Sequence, residues 1–224
     1  MQGKFITFEG GEGTGKSTQA AMLALRLESL GLGVHLTREP GGSPGAEIIR
    51  HVLLTGAAKP LGADVEAMLF AAARDDHVQC TILPALRSGK WVVCDRFADS
   101  TRVYQGILGH VDEKLLNVLE RVSIGELSPD LTVILDLPVD VGLQRAKLRR
   151  GDAEVDRFEG EGTDFHEKLR EAYLAIAARE PDRCVVIDAS AAKEVVANAI
   201  WQVVQSRLHP TAVRQLDETA TAKA

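Results

Sequence analysis

Short apolar runs alternate along this chain with longer stretches in which apolar residues recur every three or four positions. Residues 5–8, Phe-Ile-Thr-Phe, form a short run rich in β-formers, and residues 34–37 form a more polar one. Residues 91–94 are continuously apolar, residues 131–135 have the same pattern broken only by Thr132, and residues 184–187 close the series. Runs of this length without alternation predict strands buried on both faces of a parallel sheet. The intervening stretches predict helices. Ala20, Leu23, Ala24, Leu27 and Leu30 have helical spacing and end at Gly31. Further helices are expected over residues 46–54, 112–122, 139–149, 165–179 and 191–208. Residues 61–86 are expected to be mostly helical, capped by Asp64 and kinked or ended by Pro84. Pro138 should open the helix that follows it.

Strands alternating with helices predict an α/β fold, a parallel sheet flanked by helices on both faces. Ligands in such sheets bind beyond the carboxyl ends of the strands. The candidate chemistry falls there: residues 9–17 follow the first run, 38–42 the second, and Asp95-Arg96 the third. Residues 149–164, rich in Gly and charge, read as a mobile loop. At 224 residues the chain suits one domain with a small inserted lid. We expect that domain over residues 1–208, the lid near 148–163, and a poorly ordered polar tail over 209–224.

Composition removes several classes. A net charge of −6 argues against general binding to nucleic acid or a membrane surface. Cys80, Cys94 and Cys184 are odd in number and widely spaced, which predicts neither a disulfide framework nor a zinc site. The six histidines show no metal spacing. The chain shows no leader pattern and no apolar run near membrane length. A soluble cytoplasmic protein is the expectation.

Gly10-Gly11-Glu12-Gly13-Thr14-Gly15-Lys16-Ser17, followed by Thr18, has the spacing G-x-x-x-x-G-K-S between a predicted strand and a predicted helix. That context identifies a phosphate-binding loop. Glycines let successive backbone N–H groups face phosphate oxygens, and the helix N-terminus favours an anion. Lys16 can reach the β- and γ-phosphates, and the Ser17 hydroxyl can ligate magnesium. Asp95, at the end of an apolar strand, suits the same metal. Arg96 beside it suits bidentate phosphate recognition. The loop alone leaves ATPase, GTPase and kinase open. No Asn/Thr-Lys-x-Asp guanine signature is present.

Several segments in order raise the specificity. They are Phe8-Glu9-Gly10-x-Glu12-Gly13-x-Gly15-Lys16-Ser17-Thr18 and Thr37-Arg38-Glu39-Pro40-Gly41-Gly42. Leu69-Phe70-Ala71-Ala72-x-Arg74 comes next, then Asp95-Arg96-Phe97 and Asp99-Ser100-x-x-x-Tyr104-Gln105-Gly106, and finally Asp156-Arg157-x-Glu159. Together they resemble the bacterial thymidylate kinase family.

The resemblance implies a three-layer P-loop NTPase fold and phosphorylation of dTMP to dTDP by ATP with Mg2+, in a homodimer packed through helices. Residues 10–18 would bind ATP, with its adenine near Asp188-Ala189-Ser190. Arg38 and Arg96 would hold the acceptor's 5′-phosphate, and Glu12 would lie by the sugar 3′-hydroxyl or the metal-bound phosphates. Phe70 would stack on the thymine. Arg74 would donate to a base carbonyl, with Ser100, Thr101 and Gln105 nearby. Tyr104 would pack under the deoxyribose and leave no room for a 2′-hydroxyl. Read from the residues alone, Phe70 and Tyr104 also suit a core, and Arg74-Asp75-Asp76 suits a solvated helix face.

Some members of that family carry an arginine in the phosphate loop where this chain has Gly13. The missing positive charge would then come from the lid. Arg149 is the expected source, with Arg150 and Arg157 as rivals. Lys16, Arg96, Arg149 and Glu12 are thus the candidate catalytic residues. A kinase for another nucleoside monophosphate is the nearest alternative, and a nucleotide-dependent switch a more distant one.

Overall fold

The computed structural model describes residues 3–151, 158 and 160–211. Among these residues the apolar runs become β1 (Phe5–Gly10), β2 (Val34–Arg38), β3 (Trp91–Asp95), β4 (Leu131–Asp136) and β5 (Cys184–Asp188). They form one parallel sheet in the order β2-β3-β1-β4-β5. The central strand is the one that leads into the glycine loop. Its register sets Phe8 opposite Asp95, and Asp95 in turn lies opposite Arg38. Three motif segments distant in sequence therefore end side by side at the carboxyl edge of the sheet, where such folds bind ligands.

Nine helices cover the sheet among the described residues: α1 (Lys16–Glu28), α2 (Pro44–Leu54), α3 (Ala63–His77), α4 (Leu83–Arg87), α5 (Ala98–Thr101), α6 (Glu113–Ile124), α7 (Val139–Arg150), α8 (Thr163–Arg179) and α9 (Lys193–Leu208). The inner strands β3, β1 and β4 are buried on both faces and mostly apolar, whereas the edge strands β2 and β5 are partly exposed. On one face Ile6, Phe8, Val93 and Val133 pack with Leu23 and Leu27 of α1 and with Ile200 and Val204 of α9. On the other, Ile134 packs with Leu169, Tyr173 and Ile176 of α8, while Phe5, Val92 and Cys94 pack with Val78, Ile82 and Phe97. Neighbouring residues of one strand serve opposite layers, as the period of two requires.

The expected long helix over residues 61–86 is three pieces. α3 begins after Gly62, and Asp64 lies in its first turn without capping it. A π-helical segment, Val78–Ile82, then leads into α4. Pro84 has no N–H to continue the α ladder, so the hydrogen bonding shifts register just before it. α2 begins two residues earlier than expected, with Pro44 at its first position. Asp112 is the N-cap of α6, accepting from the amides of Lys114 at 2.8 Å and Leu115 at 3.3 Å. Residues 98–108, given no element from sequence, are α5 followed by a π-helical turn, Arg102–Leu108. All three cysteines are free. No helix of the described residues is long and apolar enough to cross a membrane. Most of the expected tail, residues 212–224, lies outside the described residues.

Candidate active site

The phosphate loop joins β1 to α1. Gly13 takes φ +69, and a Cβ there would run into the carbonyl of Gly142 at the start of α7. Only glycine fits this approach of loop to helix. Lys16, the first residue of α1, is buried. Its Nζ donates to the carbonyls of Gly10 at 3.1 Å and Gly11 at 2.7 Å. Burial, and then Arg96, lower the Lys16 pKa to about 8, against the pull of Glu12, Asp95 and Glu9. The Ser17 hydroxyl donates to the Asp95 carboxylate across the β1–β3 pairing. These are hard oxygen donors, the kind magnesium takes, and phosphate and water would complete its shell. Among the described residues no group of three or more His, Cys, Asp or Glu could hold a metal by itself.

Arg96 follows β3 with φ 71, in the left-handed region where non-glycine residues are uncommon. Its Nη2 donates to Glu12 Oε1 at 2.5 Å. Its Nη1 lies 3.3 Å from each of Gly10 O, Ser100 Oγ and Tyr173 Oη. The guanidinium also sits 5.3 Å from the centre of the Tyr104 ring, within cation–π range. Arg38, half exposed, donates to both oxygens of Glu47 at 2.9 and 3.1 Å.

One cleft of about 290 Å³ joins the two sides. From the phosphate loop it takes Glu12, Gly13, Gly15, Lys16, Ser17 and Thr18, and from the strand ends Arg38, Asp95 and Arg96. Its far wall is Phe70, Arg74, Ser100, Thr101, Tyr104 and Gln105. The solvated-face reading of Arg74 does not hold, since its side chain is only 4% exposed. Arg74 Nε donates to Glu39 at 2.8 Å, and Nη2 donates to Phe97 O at 3.2 Å and Thr101 Oγ1 at 3.0 Å. Tyr104 is buried, as the core reading expected, and also lines the cleft. Its hydroxyl lies 3.4 Å from Glu12.

Gly10, Gly11 and Thr14 border a separate small space beside α8. Arg149, at the end of α7, lines the main cleft and helps lower the Glu12 pKa, whereas Arg150 does not line it. Arg157 lies outside the described residues, as do Asp156 and Glu159 of the last motif segment. The Asp188–Ser190 segment is tied to α7 by Arg145, which donates to Ala189 O at 3.0 Å and Ser190 O at 3.3 Å.

The family model described as thymidylate kinase matches residues 8–200. The chain belongs to the thymidylate kinase family. A thymidylate kinase of Nitrobacter winogradskyi is 64% identical over 207 residues, covering 92% of this chain and 90% of the relative. One from a Bradyrhizobium strain is 62% identical over 207 residues, covering 92% of each. The crystal structure of thymidylate kinase from Ehrlichia chaffeensis superposes with a TM-score of 0.74 at 32% identity, covering 92% of this chain and all of that one. The fold is therefore the P-loop NTPase fold, and the chain is a nucleotide-dependent kinase that phosphorylates dTMP to dTDP.

A thymidylate kinase brings two polyanions together, which accounts for the cations around the cleft. Sequence reading missed four participants. Glu39 and His77 form a buried cluster with Arg74: His77 Nδ1 lies 3.0 Å from Glu39, and its Nε2 lies 2.7 Å from Thr37 Oγ1. Tyr173 and Glu9 hydrogen-bond behind Arg96. Glu9 and Glu39 stood inside matched motif segments, which was a usable signal. His77 and Tyr173 showed only as positions on helices.

Proposed function

We propose that Mg-ATP and dTMP occupy opposite sides of this one cleft and that the phosphoryl group passes directly between them. The observation that carries the reading is that the phosphate loop and the Arg38–Arg96 pair line the same space. The loop amides and Lys16 take the ATP phosphates, and Ser17 and Asp95 would hold magnesium. Bound there, magnesium would neutralise charge on the phosphates. Arg96 releases Glu12 and takes the acceptor phosphate together with Arg38. Phe70 stacks on thymine, and Arg74 donates to a base carbonyl with Thr101 and Gln105 at its side. Tyr104 closes the space under the deoxyribose. Arg149 supplies the positive charge that Gly13 does not.

A dianionic phosphate is already nucleophilic near neutral pH, so no general base is assigned. The lid, over residues 148–163, excludes the water that would otherwise take the phosphoryl group. Apolar Ile48 and Val52 on α2, Met68 on α3, and Val118 and Val122 on α6 stand exposed on neighbouring helices, which supports a homodimer formed through that face. The enzyme is assigned to the cytoplasm, where free thiols persist.

ADP release from Mg-ATP, measured with dTMP, dUMP, dCMP, UMP and thymidine, tests these roles in wild type and in Arg74→Gln. The wild type should prefer dTMP strongly. Arg74→Gln should lose most of its discrimination against dCMP, whose amino group replaces a carbonyl. Unchanged discrimination in the variant would remove Arg74 from base recognition.

A further inference from the structure

We infer that Glu9 is a positioning residue for Arg96, acting through the hydroxyls of Ser100 and Tyr173. The inference rests on the proposal that Arg96 holds the acceptor phosphate.

Glu9 is fully buried in β1, one residue before the phosphate loop, and is absent from the lining of the cleft. Its Oε1 accepts from the backbone N–H of Phe97 at 2.8 Å and of Ser100 at 3.3 Å. Backbone amides cannot reverse their polarity, so this oxygen must be an acceptor. Its Oε2 accepts from Ser100 Oγ at 2.7 Å and Tyr173 Oη at 3.1 Å. Both hydroxyl oxygens in turn accept from Arg96 Nη1, each at 3.3 Å.

The chain of bonds therefore has a direction. Ser100 Oγ and Tyr173 Oη also lie 2.9 Å from each other. Each hydroxyl has one hydrogen, however, and the charged, acceptor-only carboxylate oxygen is the stronger partner for both, which turns the hydroxyl lone pairs toward the guanidinium. The same carboxylate holds the backbone on the far side of Arg96. Arg96 N donates to Phe8 O at 2.8 Å, and the next amide, Phe97 N, goes to Glu9. Arg96 is thus fixed at both ends while its backbone sits at φ 71. Tyr173 belongs to α8, so the network also reaches the helix that follows the lid. Hydrogen bonds to a charged group, relayed in a buried network, are strong enough to set its orientation.

Glu9→Gln tests this without changing shape. Because Oε1 must remain a carbonyl, the amide NH2 falls at Oε2 and removes the acceptor the two hydroxyls share. Tyr173→Phe removes one hydroxyl and leaves the carboxylate. Steady-state kinetics would be measured for both, alone and on an Arg96→Lys background. Glu9→Gln should lower kcat/KM for dTMP by about 10- to 100-fold, and Tyr173→Phe by about tenfold, with KM for ATP within about twofold. On the Arg96→Lys background both losses should shrink to within about twofold, since the residue they act through is gone.

Undiminished losses on that background would show that Glu9 and Tyr173 act on packing alone, and would overturn the inference. Should Glu9→Gln fold poorly, the Tyr173→Phe cycle gives the same decision. If Arg96→Lys alone keeps wild-type kcat/KM for dTMP, the role proposed for Arg96 fails first, and the inference with it.

Discussion

Arg96 Nη2 and Glu12 Oε1 lie 2.5 Å apart, so an acid of the phosphate loop holds the guanidinium that follows β3. Burial alone would push the Glu12 pKa up. Arg96, Lys16, Arg149 and His166 overcome this and bring it down to about 2. A carboxylate that stays ionised keeps the guanidinium in place, and under the proposed reading the acceptor phosphate displaces it. Arg96→Ala should therefore lower kcat by about 10²–10³-fold, the usual cost of losing one preorganised donor at a reacting anion. The KM for ATP should change little. A fall in ATP affinity with kcat unchanged would assign Arg96 to the donor side instead.

Arg149 and Arg150 are adjacent in sequence, yet of these two only Arg149 lines the cleft. Arg149→Gln should cost about 10²-fold in kcat, and Arg150→Gln less than about threefold. Steady-state kinetics with saturating dTMP checks this. Equal losses would remove the distinction and with it the idea of a single lid arginine among the two.

The geometry at Gly13 leaves no room for an arginine in the phosphate loop itself. An arginine at this position would carry its Cβ into the Gly142 carbonyl at a backbone angle that side chains avoid. Gly13→Arg should lower the thermal midpoint by several degrees, from a cost of about 1–2 kcal/mol at φ > 0 plus the clash. It should also fail to rescue Arg149→Gln. A stable, rescued double variant would contradict the geometry.

Glu9 makes stability depend on pH in an unusual direction. Burial, and then Asp99, raise its pKa from 4.5 to about 7, against Arg96 and the donors around it. The native state then binds more protons than the unfolded state between those two values. By linkage, this group makes the protein less stable as pH rises from 4.5 to about 7, and its effect levels off above that. Thermal midpoints across this range should show that fall in wild type and lose it in Glu9→Gln. Parallel curves for the two proteins would contradict the assignment.

The inner strands were legible in the sequence because burial on both faces leaves an apolar run, as at Val92-Val93-Cys94 and Val133-Ile134-Leu135. The phosphate loop was legible because its spacing is local. Residues 98–108 were not, because α5 and the π-helical turn after it are held by distant partners. Glu9 caps α5 from another strand, and Arg183 reaches Asp99 at 2.7 Å from the start of β5. Tyr173 was missed for the same reason. Its hydroxyl meets Arg96 across 77 residues, and nothing near it in sequence shows this. Arg74 could be read as a surface charge only while its partner Glu39, in the bend just after β2, was out of view.

The central claim is that both nucleotides occupy one cleft together and that the phosphoryl group passes directly between them. Initial rates over a grid of Mg-ATP and dTMP concentrations test it most directly. Double-reciprocal plots should intersect, as a complex of enzyme with both substrates requires. Parallel lines would mean that ADP leaves before dTMP binds, with a phosphorylated enzyme between the two steps, and would contradict the account.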